Sequence, residues 1–76
     1  MTQPKYFVQS VLLNRHHFTK QEAINWILTH GYEFKKIDIT PEYYRFRQHE
    51  PIAHARYRTV NLGDIGYLIL AYFTSS

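Results

Sequence analysis

Only one segment of this sequence carries clear helical spacing, and it is closed at both ends. Thr19-Lys20-Gln21-Glu22 has the form of a capping box. In that motif the Thr19 hydroxyl accepts from the Glu22 amide, and the Glu22 carboxylate returns to the Thr19 amide. Ala23, Ile24, Ile27 and Leu28 then recur at helical intervals, with Trp26 at the border of the stripe. Gly31 follows as the stop, free to take a left-handed conformation. The spacing predicts a helix of about three turns over 19–30. One short helix cannot bury its own stripe, so the rest of the chain must supply a sheet for it.

The remaining apolar residues follow strand patterns. Tyr6 to Leu13 is rich in aromatic and β-branched residues and ends at Asn14-Arg15-His16-His17. Lys35 to Thr40 places Ile37 and Ile39 on one face, and Thr40-Pro41-Glu42 is turn chemistry. Tyr43 to Gln48 is the next strand, broken by His49-Glu50-Pro51. Arg56 to Leu62 is the fourth, Gly63-Asp64 a tight turn, and Ile65 to Phe73 the fifth. The fifth is apolar almost throughout, the pattern of a central strand covered on both sides. The expected fold is α+β: a single helix packed on one face of an antiparallel sheet of about five strands, in the order β-α-β-β-β-β. The 76 residues read as one small domain with an ordered core of about 5–73 and fraying ends. Strict alternation puts Arg56 and Arg58 beside Val60 and Leu62. This requires either a bulge between Arg58 and Val60, or arginine stems lying along the sheet with Tyr57 facing out. The first strand carries a similar ambiguity.

Composition narrows the function classes. There is no cysteine, so neither disulfides nor thiolate metal sites are available, and a reducing compartment is expected. No apolar run approaches the ~20 residues of a membrane-spanning helix. The first residues, Met1-Thr2-Gln3-Pro4-Lys5, lack the apolar core of a secretory leader. A soluble intracellular protein, without membrane association, is the expectation. Net charge is only +3, yet Lys35, Lys36, Arg45, Arg47, Arg56 and Arg58 all fall in one part of the chain.

Two stretches there interleave arginines with aromatics, Tyr43-Tyr44-Arg45-Phe46-Arg47-Gln48 and Ala55-Arg56-Tyr57-Arg58-Thr59. In a strand Tyr43, Arg45 and Arg47 share a face, and Tyr44 and Phe46 share the other. If the two strands pair, Arg45, Arg47, Arg56 and Arg58 gather beside Tyr43 on one platform. Guanidinium forks bind phosphate or carboxylate bidentately, and exposed aromatics stack unpaired bases. The candidate binding residues are Lys35, Lys36, Tyr43, Arg45, Arg47, Arg56, Tyr57 and Arg58. Their partner is nucleic acid or an acidic protein surface, weighed against a solvated sheet face whose arginines only protect it from aggregation. An open sheet edge also permits pairing with a second copy.

Catalysis has little support. Ser10 lies mid-strand, and Ser75 and Ser76 lie at the tail. No glycine-rich phosphate loop is present, and Asp38, Glu42 and Glu50 sit beside arginines as ordinary ion-pair partners. Of the histidines, His49 and His54 flank Pro51 with Glu50 adjacent, short of a converging ligand set. The reading is non-enzymatic, with no cofactor and no metal.

The run from Phe18 to Tyr32, with Trp26 and His30-Gly31, followed by Tyr44-Arg45-Phe46-Arg47-Gln48, resembles a short domain of large DNA viruses and some bacteriophages. Its marks are a capped F-T-x-x-x-A-x-x-W helix, an H-G-[YF] end and a Y-x-F-R-Q strand. The resemblance covers roughly residues 6 to 72. It implies a viral or phage-associated protein, placed in host cytoplasm, nucleus or virion, and transfers no catalytic residue. A similar helix occurs beside phage head-maturation modules, which gives the alternative expectation of a protein-interaction or assembly factor.

Overall fold

The computed structural model describes residues 6–50 and 53–73. Within them the order is β1 (Tyr6–Asn14), α1 (Lys20–Thr29), β2 (Ile37–Ile39), β3 (Tyr43–Arg47), β4 (Arg56–Asn61), a 3-10 turn (Gly63–Ile65) and β5 (Gly66–Tyr72). The strands form one sheet in the order β2-β3-β1-β5-β4, with every neighbouring pair antiparallel. This is the expected α+β architecture with one helix. The expected fraying ends and Pro51 lie outside the described residues.

The helix boundaries follow from local chemistry. Thr19 Oγ1 accepts from Glu22 N at 3.2 Å, and Glu22 Oε1 accepts from Thr19 N at 2.9 Å, completing the box. The Thr19 amide, then the Thr19 side chain, hold the Glu22 carboxyl below the usual carboxylate value. At the other end Tyr32 N donates to Ile27 O and Gly31 N to Leu28 O, while Gly31 takes φ +82°. This is a Schellman closure, which needs a residue tolerant of the left-handed region.

The core lies between α1 and the β3–β1 half of the sheet. Val11 and Leu13 of β1, Tyr44 and Phe46 of β3, and Ala23 and Ile27 of α1 are all buried together. The helix stripe is narrower than its spacing predicts. Ile24 and Trp26 pack partly on this cluster, but Leu28 remains 55% exposed.

β1, not β5, is the central strand. It pairs with β3 on one side and β5 on the other, and residues Gln9 to Leu13 are buried. β5 pairs on both edges as well, yet most of its side chains are only half-buried, because the buried cluster sits over β1 and β3. A bulge exists, but in β1 rather than β4. Register shifts between Val8 and Ser10, leaving Gln9 as the extra residue. The bulge keeps Val8 and Val11, three positions apart, on the helix side. Gln9 is pinned there: its Nε2 donates to His49 O, and its Oε1 accepts from Ser10 Oγ at 2.7 Å. β4 runs in unbroken register with β5. Gly63 and Asp64 open a 3-10 turn rather than a two-residue hairpin.

Gly66 is fixed by the sheet. A Cβ on it would stand 1.9 Å from the Leu12 carbonyl oxygen, and its φ is +144°.

Candidate functional site

No helix covers the second face of the sheet. Pleating alternates side chains between faces, so Ser10, Leu12 and Asn14 point away from the Val11/Leu13 core. Two register rows cross this face: Asp38, Arg45, Leu12, Tyr67 and Asn61, then Arg47, Ser10, Ile69 and Thr59. Ser10 is 0% exposed and Leu12 only 7%. With no element above them, they are covered by the long side chains beside them in their own rows. The Nε atoms of Arg45 and Arg47 are buried and have no hydrogen-bond partner among the described residues. Both stems therefore lie close along the sheet, and their terminal nitrogens carry the charge to its surface.

Arg45 forms no ion pair among the described residues, and Arg47 Nη1 lies 3.6 Å from the Oε2 of exposed Glu50. Such an exposed pair is worth about 0–1 kcal/mol, little hindrance to a competing anion.

One end of the arginine track opens into a groove of about 480 Å³, lined by Lys35, Lys36, Arg47 and His49, with Asp38 and Glu50 among the walls. Gln48 builds this end. Its Nε2 donates to Glu33 O at 2.8 Å and its Oε1 accepts from Glu33 N at 2.9 Å, which ties the Lys35–Lys36 loop to the end of β3. Lys35 Nζ lies 3.1 Å from Glu33, and Lys36 Nζ 3.9 Å from Asp38, both pairs at the surface.

The other end is an open pocket of about 620 Å³ between the ends of β1, β3, β4 and β5. Tyr43 and Tyr67 meet there edge to face, their centroids 5.2 Å apart. Arg47 lies four residue steps along β3 from Tyr43, about 14 Å of strand. The sequence identified the arginines of this track but missed Tyr67, Asn61 and Asp64. Tyr67 reads as one more apolar residue of the last strand, and Asp64 as turn chemistry.

The four-arginine platform does not exist. β3 and β4 do not pair, because β1 and β5 lie between them. Arg58 is registered with Leu70, and Leu70 with Val8, on the helix side of the sheet. Arg56 lies two residues away on that same side. Arg45 and Arg47 point to the opposite side. Of the expected residues, the structure brings together Lys35, Lys36, Arg45, Arg47 and Tyr43. Tyr57 shares their face, across β1 and β5, and is 46% exposed. Arg56 and Arg58 do not join them.

His49 packs edge to face on Phe7 at 5.0 Å, and His30 stacks on Trp26 at 3.9 Å. Among the described residues no group of three or more histidine or carboxylate side chains is arranged to hold a metal ion, and no helix is long and apolar enough to cross a membrane. Comparison with family models, curated proteins and solved structures gives no match.

Proposed function

We propose that the uncovered sheet face is a non-enzymatic binding platform for single-stranded nucleic acid, in the viral or phage setting that the sequence resemblance implies. Phosphates run along β3, from the Lys35/Lys36 groove past Arg47 and Arg45, and bases turn towards Tyr43 and Tyr67. The observation that carries this reading is the pair of arginines two residues apart on a face that no other element covers. Their stems are already laid down, so little side-chain freedom is left to lose on binding. Guanidinium forks match phosphate bidentately. A duplex hides its base faces, whereas a single strand offers them to tyrosine rings.

The test is fluorescence anisotropy with a labelled single-stranded oligonucleotide across a salt series. Four cations at a single strand give a slope of log K on log salt of about −2.8, or about a 50-fold loss between 50 and 200 mM salt. Absence of binding at 50 mM salt would sink the proposal. Binding to an acidic peptide without binding to any oligonucleotide would point instead to the alternative, a protein-interaction or assembly factor.

A further inference from the structure

We infer that the pocket at the Tyr43 end of the platform receives a guanine base, with Asp64 as the residue that selects it. The inference rests on the platform reading and adds a base preference to it. The pocket walls differ in chemistry from the rest of the track. Tyr43 and Tyr67 form an aromatic corner, their rings nearly perpendicular at 77°, which gives a flat base one ring to stack on and one edge to abut. Beside that corner stands Asp64.

The turn that carries Asp64 is held from two strands. Asn61 Oδ1, at the end of β4, accepts from Gly63 N at 2.8 Å. Asn14 Nδ2, at the end of β1, reaches the Asp64 carbonyl at 3.5 Å, and Asn14 Oδ1 accepts from His16 N at 2.8 Å. The Asp64 carboxylate itself has no ion-pair partner among the described residues. Among the described residues the Asn61 side-chain N–H groups donate to no partner.

An ionised carboxylate only accepts hydrogen bonds. It repels phosphate, so the Asp64 wall suits an uncharged group rich in donors; His16 and His17 also line the pocket. Bases differ in what they offer. Guanine presents its N1–H and its N2 amino group side by side on one edge, matching the two oxygens of a carboxylate. Cytosine and adenine offer one amino group, and uracil a single imino N–H. Unstacked bases are read on these edges in single strands. With the guanine edge on Asp64, the Asn61 amide is a donor on the same wall for the base's O6 acceptor.

The experiment has two arms. In the first, guanosine and uridine 5′-monophosphates are titrated into the ¹⁵N-labelled protein and amide shifts followed at Asn61, Asp64 and Tyr67. GMP moves them and UMP does not; equal or absent shifts overturn the pocket. In the second, an eight-residue oligo(U) is compared with the same oligomer carrying one guanine. A bidentate contact discriminates by about 1–3 kcal/mol, or roughly 5- to 150-fold. Asp64→Asn, an isosteric change at an exposed position, abolishes that preference while oligo(U) binds no more weakly than to the wild type, since a charge that repels phosphate is gone. Retention of the preference in Asp64→Asn overturns the assignment. Failure of the platform reads differently: GMP still shifts the pocket while oligo(U) does not bind.

Discussion

Arg45 and Arg58 stand on opposite faces of the sheet, with β1 and β5 between the strands that carry them. Three strand spacings put their backbones about 14 Å apart before the difference in face is added. Two stretches that look alike in sequence are therefore different surfaces. The first lies over a row of buried small and apolar residues. The second lies at an edge, with Arg56 and Arg58 exposed.

The two arginine pairs should separate in salt dependence. Replacing Arg45 and Arg47 by glutamine removes two phosphate contacts and flattens the slope for single-stranded oligonucleotide by about 1.4. The same change at Arg56 and Arg58 lowers the net charge equally but leaves the slope within about 0.3 of the wild type. Equal flattening in both double variants would mean that the protein binds through its overall charge, and the platform would lose its support.

Gly66→Ala should be among the most damaging single changes in the chain. The added carbon would meet the Leu12 carbonyl oxygen at 1.9 Å, and that oxygen belongs to the central strand. It cannot swing aside as a flexible side chain would. Overpacking and a positive φ together cost at least about 2 kcal/mol. Stability for a chain of this length is about 4–11 kcal/mol, so the loss is a large share. Urea denaturation measures it; a loss under 0.5 kcal/mol would show that the strands can slide apart there.

The capping box ties stability to acid. Thr19→Ala removes the acceptor for Glu22 N and should cost about 1 kcal/mol, or about 4–8 °C in melting temperature. The Glu22 carboxyl is held below its usual value, first by the Thr19 amide. The folded state therefore prefers the ionised form. Its contribution is present in full above the unfolded value of about 4.3 and fades as pH falls through the lowered value. Glu22→Gln should destabilise the protein at pH 7 and flatten this part of the acid limb. Parallel acid limbs in wild type and variant would remove the box from the account.

The helix was legible because its signals are local. Thr19, Glu22 and Gly31 act within a few residues of chain, and each does what its chemistry requires. The alternation of β3 was legible for the same reason, with Tyr44 and Phe46 inward and Tyr43, Arg45 and Arg47 outward. Lys35 and Lys36 were visible as charge, but their place beside Arg47 depends on Gln48 holding the Glu33 backbone. Tyr67 and Asp64 gave no signal, since their meaning depends on Tyr43 and Asn61 brought from other strands.

Hydrophobic period, caps and turn residues thus determined by themselves that this chain forms one helix and a sheet, and which residues of most strands share a face. Tertiary structure alone decided which strands are neighbours. Period-two alternation assigns each side chain a face relative to its own strand, but carries no information about the partner. Strand order is set by long-range burial around Val11, Leu13, Phe46 and Ile27. That burial placed β1 in the middle, separated the two arginine strands, and left Arg45 and Arg47 together on the open side.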